Sequence, residues 1–103
     1  MDKIAVLNML KVFKSVLEKK IIVNKMILFG SFAKNTQRED SDVDVAVVSK
    51  DFEGLNHWER IEILTNAIYE VFEPIEAVAF SPEEWERNDS LITQFAKAGQ
   101  FID

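Results

Sequence analysis

Two aspartates, Asp42 and Asp44, flank a single valine at the start of the apolar stretch VAVV. Alternate residues of a β-strand share one face, so the pattern predicts that both carboxylates lie together at the mouth of a strand. Two unit charges about 4 Å apart repel by roughly 4 kcal/mol at an effective dielectric constant near 20. No lysine or arginine shares that strand face, and the nearest, Arg38, lies in the preceding loop. A divalent cation such as Mg²⁺, which binds carboxylate and phosphate oxygens, would offset the repulsion.

Glu76 is the candidate for a third carboxylate of such a metal site. It is an isolated acid in the stretch PIEAVAF, where it shares a strand face with Val78 and Phe80. If this strand lies beside the strand that carries the aspartates, Glu76 reaches the same end of the sheet. Two Mg²⁺ ions about 3.5–4 Å apart can clamp the attacking and leaving oxygens of a phosphoryl transfer. Glu73 is the competing candidate, but its place at a helix end before Pro74 favours a solvated side chain.

A glycine–serine pair, Gly30-Ser31, directly follows the first predicted strand and could provide a phosphate cradle. Glycine lets the backbone approach a phosphate closely, and Ser31 adds a hydroxyl to the exposed amides at the start of a short helical turn. Taken alone, the pair also fits an ordinary strand-ending turn. Together with Asp42 and Asp44 at this spacing, it indicates phosphate binding beside a metal site.

The remaining sequence predicts the elements that position these residues. Apolar spacing and capping signals predict helices over 1–20, 54–74, 81–85 and 89–100. Ser81, Pro82 and Glu84 predict a capping box at the start of the third helix. Gly99 is predicted to cap the end of the last helix. Runs of β-formers predict strands over 21–29, 42–49 and 75–80. The order α-β-β-α-β-α indicates one α/β domain over 1–103, with a small mixed three-stranded sheet flanked by helices. The helix between the second and third strands favours a right-handed parallel crossover.

The first predicted helix is apolar nearly all round, which leaves two interpretations open. Such a helix must be covered on more than one side. It is therefore either the central helix of the core or part of an interface with a partner.

The stretch GSFAKNTQREDSDVDV resembles the signature of the polymerase-beta-like nucleotidyltransferases, and most closely that of their minimal nucleotidyltransferase domains. That signature reads Gly-Ser-x-Ala-Arg-Gly, then a short variable loop, then Ser-Asp-x-Asp before apolar residues. The matching positions here are Gly30, Ser31, Ala33, Ser41, Asp42 and Asp44. The predicted element order and the length agree as well, so the resemblance covers essentially the whole chain.

The resemblance implies a nucleotidyltransferase-like fold and a role for each matching residue. The residues implied in nucleotide binding are Gly30, Ser31 and Lys34. Those implied in Mg²⁺ binding and catalysis, with two ions expected, are Asp42, Asp44 and Glu76. The donor would be ATP or another NTP, and the third acid would help to activate the acceptor hydroxyl.

Two positions depart from the family signature. Lys34-Asn35 replaces the usual Arg-Gly: lysine keeps the charge without the bidentate fork, and asparagine is the next best residue to glycine for a left-handed conformation. Glu76 is one methylene longer than the aspartate that is common at the third position. The metal-binding carboxylates are all present.

The resemblance also implies a protein partner. Minimal nucleotidyltransferase domains are often paired with a helical HEPN-type toxin in a toxin–antitoxin system. The transferase then modifies a toxin hydroxyl with AMP, or neutralises the toxin by binding alone, and both alternatives stay open. Transfer to a small molecule such as an aminoglycoside is disfavoured because no acceptor-binding domain follows in this sequence.

Composition narrows the classes of partner and location. The 103 residues carry a net charge of −6, which disfavours a nucleic-acid template and hence polymerase activity. The chain has no cysteine, and no apolar stretch reaches the ~18–20 residues of a membrane span. These features predict a cytoplasmic protein without a membrane partner.

Simpler structural interpretations apply to several residues. Residues 38–42 could form a solvated acidic turn, Lys34 could be a solvent-facing side chain, and Ser41 is predicted to cap the turn. The lone histidine, His57, is predicted to lie at the surface or in a helix cap. The aromatic residues predicted to lie in the core are Trp58, Phe72, Phe80 and Trp85.

Overall fold

Within the described residues, the chain folds as an α/β structure in which five α-helices flank one mixed sheet, and a short 3₁₀ helix spans Lys50–Phe52. The computed structural model describes residues 2–38, 41–88 and 90–103, so the predicted helix starts at 1 and 89 and part of the acidic turn lie outside the described residues. The helices of the described part are α1 (Lys3–Leu17), α2 (Ser31–Lys34), α3 (His57–Val71), α4 (Pro82–Arg87) and α5 (Leu91–Lys97). The strands are β1 (Lys25–Phe29), β2 (Val43–Val48), β3 (Ile75–Phe80) and β4 (Gln100–Phe101).

The strands form one sheet in the order β3-β2-β1-β4. Strand β2 runs parallel to β3 and antiparallel to β1, and β1 is also antiparallel to β4. The predicted parallel pairing of the second and third strands is therefore confirmed. The predicted three-stranded sheet gains a fourth strand, because two residues near the C-terminus pair with the outer edge of β1.

Strand β2 is buried on both faces, as its alternation of apolar residues predicts. One face, formed by Val43, Val45 and Val47, packs into a cluster with helices α1 and α3. The other face, with Ala46 and Val48, packs beneath helices α4 and α5. The strand that carries the acidic pair is thus the best-covered element of the sheet.

Strand β1 is shorter than predicted, because its first four predicted residues lack a partner strand. Lys25 pairs with Val48, the last residue of β2, so nothing continues the ladder before it. The preceding bend is held instead by side chains: Asp51 accepts a hydrogen bond from the Ile22 N–H at 2.8 Å, and Asn24 accepts one from the Lys50 N–H at 2.8 Å.

Helix α1 covers one face of the sheet and leaves its other side in solvent. The side chain of Asp2 caps its start by accepting a hydrogen bond from the Ala5 N–H at 2.8 Å. The buried residues of α1 are Val6, Met9, Leu10, Phe13 and Leu17. Ile4 and Val12 are 72% and 54% exposed, so α1 is not covered all round, although it contributes more buried residues to the core than any other described helix.

Helix α3 packs against α1 through a narrower stripe than the sequence predicts. Its buried residues are Leu64 and Ala67, and a capping box of Asn56 and Glu59 fixes its start. The prediction that Trp58 and Phe72 belong to the core is wrong, because these side chains are 75% and 86% exposed. Trp58 stands in the first turn of the helix, and Phe72 turns away from it in a left-handed conformation with φ 58°.

The predictions for β3 and α4 are confirmed. Ser81 and Glu84 form the predicted capping box, with Pro82 as the first residue of the helix. Phe80 and Trp85 lie in the core, and their rings meet edge to face with centroids 5.7 Å apart. An ion pair of 2.6 Å between Arg60 and Glu84 then ties α3 to α4.

Gly99 is needed for a close backbone approach rather than for the predicted helix cap. Helix α5 ends at Lys97 with Ala98 as its cap, and Gln100 then pairs with Leu28 of β1. A Cβ at Gly99 would overlap the Leu28 carbonyl oxygen and lie 2.9 Å from Cγ2 of Ile27. The glycine thus lets the C-terminal segment lie flush against β1.

None of the helices in the described ranges is both long and apolar enough to cross a membrane.

Replacing Gly99 with alanine should destabilise the fold by about 1–3 kcal/mol, as overpacking against rigid backbone does. A loss of this size lowers Tm by about 5–15 °C in a domain of about 100 residues. Thermal unfolding followed by circular dichroism measures the shift. Ala98→Ser at the adjacent exposed position is the control and should change stability by less than about 0.5 kcal/mol. Equal melting of Gly99→Ala and wild type would contradict the close approach.

Candidate functional site

The three predicted carboxylates lie at one end of the sheet. Asp42 immediately precedes β2, Asp44 is the second residue of that strand, and Glu76 is the second residue of β3. In the parallel ladder Asp44 pairs with Glu76, and across the antiparallel ladder it pairs with Phe29. Neighbouring strands are about 4.8 Å apart, so residues in register place their side chains on the same face and side by side. The register therefore brings the acidic pair and Glu76 together.

The environment of Asp44 shows that these charges interact. Burial, then the charge of Glu76 and then the charge of Asp42 raise the pKa of the Asp44 carboxyl above its ordinary value of 3.8. The ion pairs between described residues, such as Lys19–Glu70 and Arg60–Glu84, all lie elsewhere. The repulsion at this end of the sheet is thus not offset by a lysine or arginine of the described chain.

The donor set fits a hard divalent cation that is shared with a substrate. Mg²⁺ is usually bound by one or two carboxylates together with water and substrate phosphates, rather than by a complete cage of protein ligands. Within residues 2–38, 41–88 and 90–103, no three His, Asp or Glu side chains are placed so that they could hold a metal ion together as they stand, so the triad of Asp42, Asp44 and Glu76 stays a prediction. Asp42, Asp44 and Glu76 carry the type of oxygen donor that Mg²⁺ prefers, so the chemistry of the residues fits the predicted cation.

Gly30 packs directly against Asp44, which joins the glycine–serine turn to the acidic pair. Its backbone has φ 75° and ψ −150°, a conformation that is open to glycine and costly for other residues. A Cβ at this position would overlap Oδ2 of Asp44 and lie 3.1 Å from its Cγ. Both the backbone conformation and the space taken by Asp44 require glycine here. The two motifs that the sequence singles out therefore form one structural unit.

The predicted helical turn after Gly30 is present as α2. The Ser31 hydroxyl makes no hydrogen bond with another described residue, so it is available to a ligand. Asn35 ends the helix in the left-handed conformation, with φ 58° and ψ 34°. Asparagine adopts this conformation more readily than other residues except glycine, as the sequence predicts.

Lys34 is exposed, and its Nζ lies 6.0 Å from the ring centroid of Phe95 in α5. Sequence reasoning missed Phe95, because no local pattern connects a residue of the last helix with the glycine–serine turn. The signal available in the sequence was an aromatic residue on a short helix near the C-terminus, which is equally typical of a core position.

The loop before β2 is closed by Ser41, as predicted. Its hydroxyl accepts a hydrogen bond from the Arg38 N–H at 2.8 Å, and its own N–H donates to the Arg38 carbonyl at 3.1 Å. Glu39 and Asp40, the other acids of this turn, lie outside the described residues. His57 is exposed at the start of α3 with its ring against Trp58, which confirms the predicted surface position.

Neutralising Asp44 should stabilise the fold when no divalent cation is present. Folding raises the pKa of this carboxyl, so the ionised group is less favourable in the folded chain than in the unfolded chain. The resulting cost is complete above the folded pKa and disappears below the ordinary value of 3.8. Asp44→Asn should therefore raise Tm by about 1–3 °C at about pH 7 in EDTA, and leave it unchanged near about pH 3.

The control for this prediction is Glu62→Gln, which removes an exposed acid on α3 that has no ion pair among the described residues. Its melting temperature should follow that of wild type at both pH values. A lower Tm for Asp44→Asn at neutral pH in EDTA would show that the carboxylate stabilises the fold, contrary to the electrostatics described above.

The sequence and the fold of this chain were compared with those of known proteins. A family model described as Polymerase beta, Nucleotidyltransferase matches residues 11–102. No curated protein matches the chain in sequence. The structure is similar to that of a candidate nucleotidyltransferase from Sulfolobus solfataricus, with a TM-score of 0.70, 20% identity, and coverage of 82% of this chain and 75% of that chain.

A second similar structure is described as a toxin-antitoxin with AMP-PNP. The TM-score is 0.67 at 20% identity, with coverage of 94% of this chain and 72% of that chain. At this identity the two structures attest the fold alone. The family match over residues 11–102 goes further and confirms the resemblance seen in the glycine–serine and acidic motifs: the chain belongs to the polymerase beta nucleotidyltransferase family.

Proposed function

We propose that the chain transfers a nucleoside monophosphate, AMP from ATP in the first instance, to a hydroxyl of a partner protein in a Mg²⁺-dependent reaction. The observation that carries the proposal is the contact of Gly30 with Asp44, together with the register that sets Glu76 beside it. A phosphate held at the glycine–serine turn would lie next to the carboxylates. Family membership supports the nucleotidyl transfer, and the identity of donor and acceptor belongs to the proposal.

The chemistry assigns a task to each part of the site. The backbone at Gly30 and the hydroxyl of Ser31 hold phosphate oxygens, and Lys34 reaches the triphosphate. Asp42, Asp44 and Glu76 would hold Mg²⁺, which neutralises charge on the transferring phosphate and aligns the attacking and leaving oxygens.

The transfer itself exchanges one bond at the α-phosphorus for another. The acceptor hydroxyl oxygen forms a bond to this phosphorus while the bond to the bridging oxygen breaks, and pyrophosphate leaves. The carboxylate of Glu76 accepts the hydroxyl proton as the new bond forms.

A protein acceptor is supported by the aromatic surface beside the site. Tyr69 and Phe72 are 73% and 86% exposed and line a groove of about 540 Å³ at the end of α3. Pro74 lines the same groove, and its carbonyl accepts a hydrogen bond of 2.8 Å from the N–H of Val43, between the two aspartates. Exposed aromatic residues are typical of protein interfaces.

We further propose that the partner is a toxin of the HEPN type and that the pair acts in the cytoplasm. The similarity to a structure described as a toxin-antitoxin supports a toxin partner. The same exposed aromatic surface also favours the alternative function, a non-catalytic antitoxin that neutralises its partner by binding.

Removing both aspartates should abolish transfer. Wild type and the Asp42→Asn/Asp44→Asn variant are incubated with Mg²⁺, each of the four NTPs and a HEPN-type toxin as the candidate partner. Intact mass spectrometry should show one or more added nucleotide units on the partner with wild type and none with the variant. Equal labelling by both proteins would refute the proposal. A silenced partner without any labelling would establish the binding alternative.

Glu76 and Glu73 are the two candidates for the third carboxylate of the site, and the same substitution at each of them distinguishes between the two. Glu76 stands in register with Asp44, whereas Glu73 lies in the loop before the strand. Glu76→Gln should lower the transfer rate by at least about 100-fold, since it removes a metal ligand and proton acceptor. Glu73→Gln should stay within about 2-fold of wild type in the same assay, well below an effect of general-base size. If Glu73→Gln lowers the transfer rate more than Glu76→Gln does, Glu73 is the third carboxylate of the site.

A further inference from the structure

The outer face of α5 carries large apolar side chains that the fold itself does not use. The residues of this helix that face the core, Thr93 and Ala96, are small. By contrast, Leu91 and Phe95 are 68% and 59% exposed. Ile92 is also 48% exposed, so this short helix presents several apolar side chains to solvent, and a contiguous apolar patch of that kind is typical of a binding surface.

Phe95 is held near the glycine–serine turn by the way α5 is anchored. Gly99 brings the chain that follows α5 against Leu28, and Gln100 pairs with the same residue of β1. Strand β1 leads directly into Gly30 and α2. Phe95 stands one helical turn before Gly99, so its place relative to the turn is set by backbone contacts.

The contact with Lys34 shows on which side of α2 the ring lies. The Nζ of Lys34 is 6.0 Å from the centroid of Phe95, within the range of a cation–π interaction. Side chains on an α-helix lean back toward its N-terminus, so the Lys34 side chain covers the turn that begins at Ser31. The ring therefore flanks the part of α2 that adjoins the predicted phosphate cradle.

The charge of this part of the chain suits an anionic nucleotide. The sequence carries a net charge of −6, yet residues 90–102 contain no acid and one lysine, Lys97. Lys97 packs over the ring of Trp85, with its Nζ 5.4 Å from the centroid, so the cation that contacts Phe95 is Lys34. An apolar ring beside a lysine matches a nucleotide, in which a flat base is joined to charged phosphates.

We propose that the ring of Phe95 is the stacking platform for the nucleobase, while Lys34 lies between base and phosphates. The inference rests on the proposed function, because the triphosphate must bind at Gly30-Ser31 for its base to reach this ring. Stacking does not read hydrogen-bonding groups of the base, so the site accepts several nucleotides and favours the larger ring system of purines. Phe95 would thus be the residue that sets the donor preference.

Two ligands distinguish the contribution of the base to binding from that of the phosphates. Calorimetric titration of the intact chain with ATP and with inorganic tripolyphosphate, both with Mg²⁺, compares a ligand that has a base with one that lacks it. Phe95→Ala should raise the Kd for ATP by about 10-fold and change that for tripolyphosphate by less than about 2-fold, since a stacked base contributes about this much affinity. Lys34→Ala should weaken both ligands.

Leu91→Ala is the matched control, because it truncates another exposed apolar side chain of α5 and should leave both affinities unchanged. Phe95→Tyr keeps an aromatic ring and should bind ATP within about 2-fold of wild type, whereas Phe95→Leu should follow Phe95→Ala. This pair distinguishes stacking from a general need for an apolar side chain. A melt of each variant confirms that it is folded.

The remaining outcomes overturn the inference in distinguishable ways. If ATP binds wild type and Phe95→Ala equally, the ring is not the base platform, and the outer face of α5 is assigned to a protein contact. If Phe95→Ala weakens ATP and tripolyphosphate alike, the ring only supports α2. If wild type binds neither ligand, the proposed function fails, and the base platform fails with it.

Discussion

The register of β2 between its two neighbours is the constraint on which the site depends. The antiparallel pairing with β1 puts Asp44 opposite Phe29, the residue before Gly30, and the parallel pairing with β3 puts it beside Glu76. Side chains alternate along a strand, so a slip of one residue would turn a valine toward the turn and bury the carboxylates in the core. Burial of β2 on both faces opposes such a slip, because either face would then lose its apolar contacts.

The site residues lower the stability of the folded chain, and packing elsewhere in the structure offsets this loss. A half-buried carboxylate next to two others is unfavourable, and Gly30 adds a left-handed backbone that only glycine adopts freely. Both costs fall at the end of the β1–β2 ladder, next to the fully buried residues in the middle of these two strands. Local costs of this kind are typical of functional sites, where the surrounding packing over-determines the geometry. The well-packed strand thus serves as the rigid support that a phosphate-handling site needs.

Local patterns predicted most of the elements and the proximity of the site motifs. The alternation DVDVAVV predicted both faces of β2, and the isolated acid in PIEAVAF predicted that Glu76 joins the aspartates. Strand β4 was missed because a two-residue strand has no periodicity of its own and exists only through its pairing with β1. The roles assigned to the site residues remain predictions, since the structure gives their positions and not their ligands.

Other errors arose because a periodic pattern does not show which side of a helix is covered. Trp58 and Phe72 continue the apolar pattern of α3 at its two ends, but both side chains are exposed in the fold. Gly99 was singled out correctly for the wrong reason: its constraint comes from the Leu28 carbonyl, a tertiary contact that no local pattern reveals. The contact between Lys34 and Phe95 is of the same kind. The environment of these residues depends on contacts between segments distant in the sequence, and sequence periodicity carries no information about such contacts.

Strand β3 lies at one edge of the sheet, with β2 as its neighbour among the described strands. Its free edge affects how readily two copies of the molecule could associate. An open edge presents unpaired backbone groups to any extended segment, and a charged residue on the edge strand is a common protection against sheet-to-sheet association. Glu76 is the one charged residue of β3. The acid proposed for catalysis is therefore also the charged residue of an edge strand, where a charge disfavours pairing with another extended segment.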